Sequence, residues 1–259
     1  MTEIEKIIQR IKASTQDLNH QHQKSQEKST TQGLYKCTIC KDTGYLITQE
    51  KDSQPVMRRC KCQEIDIAKR QWKNAGINPE KSKQTFGNFE TWNDSSKVAR
   101  ETAITYYKNF GDIRDSRRNS IMLCGQVGSG KTHLSIALAL NFIQKGIRVV
   151  YMPYRDVITE LKQNMLDEEF YKKQLSKYQE AEIMLIDDLF KGKINESDIN
   201  IMFEIINYRY LNYLPIIVST EFTLDRMLNF DEAVGSRIYE MCKDYTVQIE
   251  GKENNYRLK

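Results

Sequence analysis

The hydrophobic rhythm of the chain changes three times. Ile4, Ile7, Ile8 and Ile11 recur at i, i+3, i+4 and i+7, the spacing of one helical face, so the first dozen residues predict a short amphipathic helix. Such a helix needs a surface, either its own protein's or another chain's. Residues 14–32, STQDLNHQHQKSQEKSTTQ, are almost wholly polar, the composition of a solvated linker or a frayed helix, and His20 and His22 within it are expected to be solvated rather than ligands. From about residue 95, apolar runs of strand length alternate with helical patterns. KVARETAITYYKNF predicts a helix, NSIMLCG a buried strand, THLSIALALNFIQKG a helix stopped at Gly146, and RVVYMP a strand. YRDVITELKQNM and EEFYKKQLSKYQEA are helical, EIMLIDD is a strand, ESDINIMFEIINYRYLNY is a helix opened by an Asp or Ser cap, and PIIVST is a strand. TLDRMLNFDEAVGSRIYEMC adds helical turns and YTVQIEG a last strand. Strands alternating with helices of this length require crossover connections, so the predicted fold class is α/β, a parallel sheet covered by helices.

The turn between NSIMLCG and its helix carries chemistry. Gly125, Gln126, Val127, Gly128, Ser129, Gly130, Lys131 and Thr132 spell G-x-x-x-x-G-K-S/T, followed by His133 at the start of the helix. The glycines let backbone N–H groups and the helix N-terminus point at phosphate oxygens. Lys131 then reaches the β and γ phosphates, and the Thr132 hydroxyl is placed for Mg²⁺. In such a fold the strand that ends in Asp187 and Asp188 is expected beside the phosphate-loop strand, with Asp187 facing the metal. Asp188 is the candidate to position or deprotonate an attacking water; capping of the next turn is its alternative.

Composition sets the class more than the activity. The 259-residue chain carries 39 Lys and Arg against 35 Asp and Glu, a net charge of +4, which permits nucleic-acid contact without demanding it. The start has no apolar core of signal-peptide type, and no run of about 18 apolar residues occurs, so a cytoplasmic protein with no membrane partner is expected. Four of the six cysteines are closely spaced: Cys37 and Cys40, then Cys60 and Cys62. Two close pairs joined by a hairpin make a tetrahedral thiolate site suited to Zn²⁺, with an iron–sulfur cluster or unrelated thiols as the alternatives. Arg58, Arg59, Lys61, Lys69, Arg70 and Lys73 put basic charge around this module, either as a phosphate contact or as a solvated face. Trp72 among them could stack a base or anchor the linker.

The ordered set TFGNFETW, CGQVGSGKTHLSIALA, AEIMLIDDL, IINYRYLNYLPIIVST and VGSRIYEMC resembles the AAA+ ATPases of the DnaC/DnaI-type replicative helicase loaders. IstB-type transposition helpers are close relatives. The resemblance runs from about Phe86 to residue 259. It implies a phage or prophage replication protein that binds ATP with Mg²⁺, hydrolyses it slowly, forms a homo-oligomer when ATP is bound, and loads a replicative hexameric DNA helicase onto single-stranded DNA. It makes Zn²⁺ the expected metal of the cysteine module. It also implies that Thr220 at the end of the sensor-1 strand senses the γ-phosphate, that Glu221 stands where Asn is usual, and that Arg237 reaches a neighbouring subunit's nucleotide. Arg209 falls in a shared motif, with a packing role as its alternative, and Arg257 is a late candidate for a second sensor arginine. Phe86, Phe89 and Trp92 either close over the adenine or pack. Three segments follow: a helix and linker over 1–32, a cysteine module over 33–75 and an AAA+ domain over 76–259. An IstB-type helper, or a nucleotide-gated DNA-binding protein with negligible turnover, are the alternatives.

Overall fold

The structure is a computed structural model that describes residues 35–48 and 54–259; the helix predicted over the first dozen residues and the polar tract over 14–32 lie outside them. The chain divides into two compact units, Met1–Ile67 and Ala68–Lys259. In the first, strands β1 (Tyr45–Thr48) and β2 (Val56–Arg59) pair antiparallel, Tyr45 opposite Arg59. A knuckle precedes them, in which Lys41 and Asp42 take φ of 50° and 64°. The Asp42 carboxylate accepts from the backbone N–H groups of Lys36 and Cys37, which satisfies the donors that so tight a turn leaves over. Helix α1 (Lys61–Asn74) starts directly after Cys60 and continues into the second unit.

The second unit is built on a five-stranded sheet. In chain order its elements are α2 (Asp94–Ile113), β3 (Ile121–Gly125), α3 (Lys131–Gln144), β4 (Val149–Pro153), α4 (Tyr154–Gln163), α5 (Glu168–Gln179), β5 (Ile183–Leu189), α6 (Glu196–Leu211), β6 (Ile216–Thr220), α7 (Leu224–Phe230), α8 (Glu232–Cys242) and β7 (Thr246–Ile249). The strand order is β4-β5-β6-β3-β7, and every pairing is parallel. Because strand side chains alternate between faces, the continuous apolar runs must be covered on both. Met122, Met184, Ile186, Ile216 and Val218 join one core with α4, α5, α6 and α8, while their neighbours Leu123, Leu185 and Ile217 are equally buried and face the layer that contains α3. Helix α3 is buried nearly all round, including Leu134, Ile136, Leu138, Phe142 and Ile143, and each such side chain contributes about 1.5–3 kcal/mol by leaving water.

Two expectations need correction. The strand carrying Asp187 and Asp188 is not beside the phosphate-loop strand, because β6 lies between β5 and β3. Two strand spacings, about 10 Å, separate them, and the gap is spanned by α3, which crosses the sheet and packs on both β5 and β6. The cap of α6 is neither Asp nor Ser but Asn195, whose side chain accepts from Asp198 N–H while the Asp198 side chain accepts from Asn195 N–H. The cap lies two residues before Ser197 and three before Asp198, and Asp198 takes part as the third helical residue of a capping box. Helix α3 does stop before Gly146, with the Ile147 N–H returned to Phe142 O at 2.9 Å.

Trp72 is fully buried, donates Nε1–H to Val149 O at 2.9 Å and packs its ring 5.1 Å from Tyr151, which makes it an anchor on the edge strand rather than a base-stacking surface. Arg209 is also wholly buried. Its guanidinium donates to Tyr178, Gln179 and Ala181 carbonyls at 2.9–3.0 Å and to Pro215 O at 2.7 Å, fastening α6 to the end of α5 and to the entry of β6. Packing, the alternative open for this residue, accounts for it. Replacing Arg209 with Ala removes four hydrogen bonds to backbone carbonyls at the junction of three elements, and urea denaturation followed by far-UV circular dichroism is expected to lose about 3–5 kcal/mol; a loss below about 1 kcal/mol would contradict this role.

Candidate nucleotide site and metal centre

The sequence between β3 and α3 folds as a loop wrapped around its own backbone. Gly125 takes φ of 100°, and a Cβ there would stand 2.2 Å from Ile249 O, because β7 runs directly alongside and accepts Gln126 N–H at 2.6 Å. Gly130 caps α3 with φ of 87°, and its Cβ would meet the Phe89 ring at 2.5 Å. Both positions therefore exclude any side chain. Lys131 is 6% exposed and donates Nζ–H to Gly125 O at 3.0 Å and Gln126 O at 2.6 Å. Burial pushes its pKa down, and the carboxylates of Glu221 and Asp188 oppose that shift. Ser129 Oγ donates to Gln126 O at 2.8 Å, which stiffens the turn.

Strand alternation decides which residues meet this loop. Tyr151, Asp187 and Ser219 lie on the face opposite the core shared by Met152, Ile186 and Val218, and this is the face that α3 covers. Asp187, 7% exposed, accepts from Thr132 Oγ1 at 2.9 Å and Ser219 Oγ at 2.5 Å on one oxygen and from Tyr151 OH at 3.1 Å on the other. Burial first, then the Asp187 charge, pushes the Tyr151 phenol well above its usual range, so it stays a donor. Sequence reasoning missed Tyr151, and it passed over Ser219 for Thr220; the period-2 pattern of β4 and β6 carried both signals. Thr220 shares the face of Ile216 and Val218. Its hydroxyl donates to Leu189 O at 2.8 Å and accepts Phe222 N–H at 3.1 Å, and it does not line the cavity described next.

That cavity, about 370 Å³, is walled by the loop from Val127 to His133, by Asp188, Lys191 and Glu221, and by the aromatic side chains of Phe89, Trp92 and Tyr256. Asp188 turns into it at a bulge in β5, where the register shifts between Ile186 and Leu189 and Asp188 takes φ of 57°. Its N–H donates to Ser219 Oγ at 2.9 Å. His133, whose Nε2 faces a carbonyl that can only accept, donates to Thr85 O at 2.9 Å and packs edge-on to Phe89 at 5.3 Å. Phe89 and Trp92 therefore sit over the loop as well as pack, whereas Phe86 is not on the wall. The last segment closes the same side: Tyr256 donates N–H to Gly128 O at 3.1 Å and OH to Glu90 at 2.8 Å, packs its ring tilted against Trp92 with centroids 5.1 Å apart, and brings Arg257 to the wall. Tyr256 was invisible to motif reading because nothing in its neighbourhood has a pattern. Arg237 lies elsewhere, donating to Ala233 O at 2.6 Å and Asn207 Oδ1 at 3.1 Å.

In the first unit the sulfurs of Cys37, Cys40, Cys60 and Cys62 all lie within 4.8 Å of one another, with Cys37–Cys60 at 3.8 Å and Cys40–Cys62 at 3.4 Å. Four sulfurs each about 2.3 Å from one Zn²⁺ would stand about 3.8 Å apart, so the donor set fits a tetrahedral thiolate ion. Backbone N–H groups, that of Cys40 foremost, lower the Cys37 thiol to about 7, towards thiolate, the ligating form, whereas burial pushes the Cys60 and Cys62 thiols up; Gly44 N–H reaches Cys40 Sγ at 3.4 Å. Arg58 and Arg59 stand exposed on β2.

The family model of IstB-like ATP binding proteins matches residues 81–259. The chain belongs to the IstB-like ATP-binding family. The phage-like element PBSX protein XkdC of Bacillus subtilis is 37% identical to this family member over 235 residues, covering 86% of each chain. The uncharacterized protein YqaM of the same organism is 40% identical over 228 residues, 83% of this chain and 72% of YqaM. Among solved structures, the DnaC helicase loader matches with a TM-score of 0.57 at 26% identity, covering 70% of this chain and 99% of that one. The IstB-like chain is thus an ATP-binding protein of AAA+ architecture, and among its described residues no helix is long and apolar enough to cross a membrane. Of its two tryptophans, only Trp92 lines the cavity. Adding Mg·ATP is expected to change intrinsic fluorescence in the wild type and in Trp72→Phe, and to leave Trp92→Phe unchanged; a response that survives Trp92→Phe would place the nucleotide elsewhere.

Proposed function

We propose that this protein is an ATPase that uses its nucleotide state to load a replicative hexameric DNA helicase onto single-stranded DNA. The match to the DnaC helicase loader, which spans 99% of that chain at 26% identity, supports this reading most directly. Backbone N–H groups of the loop from Gly125 to Thr132 and the N-terminus of α3 would hold the phosphates, with Lys131 leaving its two carbonyl partners for them. Thr132 and Asp187, already in contact, would hold Mg²⁺, which when bound supplies charge neutralisation for the leaving phosphate. Asp188 would orient or deprotonate the attacking water. Its side chain is one methylene shorter than Glu and is ion-paired to Lys191 at 2.8 Å, so its carboxylate is partly committed, which favours slow, switch-like turnover.

Thr220 drops out as the γ-phosphate contact, since both sides of its hydroxyl are used inside the sheet. Arg237 serves a neighbouring subunit in this proposal, where it would leave Asn207 and Ala233 to stabilise transition-state charge in trans. The cysteine module would bind Zn²⁺ and, with the N-terminal segment, dock on the helicase. An IstB-type role beside a transposase is the second reading, favoured by the family match over residues 81–259; the 86% mutual coverage with a phage-like-element protein and the cysteines ahead of the ATPase weigh against it. The test is co-purification of the full chain with the replicative hexameric helicase of its host, with and without ATP. A complex that is tighter with ATP is expected, and absence of any complex in both conditions would contradict the loading role.

A further inference from the structure

Two carboxylates stand in the cavity whose loop is proposed to hold the phosphates. Asp188 and Glu221 both line the cavity with Lys131. Like charges held close together at a protein surface repel, so these two side chains would work against triphosphate binding unless balanced. Lys191 balances them. Its Nζ lies 2.8 Å from Asp188 Oδ2 and 3.1 Å from Glu221 Oε1, and it lines the same cavity.

The position of Lys191 is built into the fold. Its N–H closes a turn onto Asp188 O at 3.1 Å, and within that turn Asp188 and Phe190 both take left-handed backbone, φ of 57° and 61°. That conformation is strained for a residue with a side chain. Burial of Phe190 among Tyr154, Phe222 and Phe230, with ring centroids 5.1–5.8 Å away, offsets that strain and fixes where the turn delivers its lysine.

We propose that Lys191 is a further phosphate-site residue: its ammonium, shared between Asp188 and Glu221, makes this wall accept a terminal phosphate and so discriminates a nucleoside triphosphate from a diphosphate. Movement of Lys191 towards that phosphate also frees the Asp188 carboxylate, so recognition of the triphosphate and readiness for hydrolysis become one event. The inference rests on the reading of this cavity as the ATP site.

The test is equilibrium binding of a fluorescent non-hydrolysable ATP analogue and of fluorescent ADP, both with Mg²⁺, to the full chain and to Lys191→Gln, Glu221→Gln, the double variant and Lys131→Ala. Lys191→Gln is expected to weaken the triphosphate about 10-fold or more, the size of one charge-assisted hydrogen bond, and to leave ADP within about threefold. Adding Glu221→Gln should restore most of the lost affinity, because it removes the charge that Lys191 balances. Equal weakening of both nucleotides, no weakening, or no rescue would overturn the proposal. Lys131→Ala separates the layers: loss of both nucleotides supports the site, whereas unaltered binding of both would remove the site itself and not only the part played by Lys191.

Discussion

One buried carboxylate holds the nucleotide side of this molecule together. Asp187 sits on a central strand at 7% exposure, a placement that costs several kcal/mol unless each oxygen is satisfied. Three hydroxyls satisfy it: Tyr151 from β4, Ser219 from β6 and Thr132 from α3. The same contacts that make the burial tolerable fix the first turn of α3 above the ends of three strands, and hence fix the loop that precedes it. Ser219 then also receives the Asp188 N–H, which sets the bulge and points Asp188 into the cavity. Placement of the phosphate loop, of the acidic pair and of Lys191 all follow from how one strand-end acid is kept hydrogen-bonded.

The loop itself is held from outside by two segments distant in sequence. Phe89 lies against Gly130, and Tyr256 donates its N–H to Gly128. Trp92 packs tilted against Tyr256 and joins the two segments over the cavity. A bound nucleotide would touch this aromatic cover as well as the loop, so nucleotide state can be read by parts of the chain that carry no phosphate contact. In the loading proposal, this is how nucleotide binding would be coupled to assembly or to a partner.

Much of this was legible in the sequence. The loop glycines, Lys131, Thr132 and the acidic strand end are local in sequence and carry residue types that phosphate chemistry restricts, so pattern alone placed them. The cysteine pairs were legible for the same reason. What failed depended on arrangement between distant strands. The order β4-β5-β6-β3-β7 has no local signature, so β6 was not expected between the loop strand and the acidic strand. Thr220 was preferred to Ser219 from its motif position, although alternation puts Thr220 on the core face with Val218. Lys191 follows an acidic pair in a stretch that reads as an ordinary turn, and only the positive φ at Asp188 and Phe190 aims it inward. Tyr256 and Arg257 reach the site by a chain path that no periodicity announces.

In the function proposed above, Asp187 and Thr132 form with the phosphate loop a site that binds nucleotide and Mg²⁺ as a unit. Calorimetric titration of a non-hydrolysable ATP analogue, with and without Mg²⁺, into the wild type and Thr132→Val tests this most directly, because the substitution keeps the shape and removes only the hydroxyl. Mg²⁺ is expected to tighten binding in the wild type, and Thr132→Val to lose this gain while still binding the analogue. Wild-type affinity that ignores Mg²⁺, or a full Mg²⁺ gain retained by Thr132→Val, would contradict it.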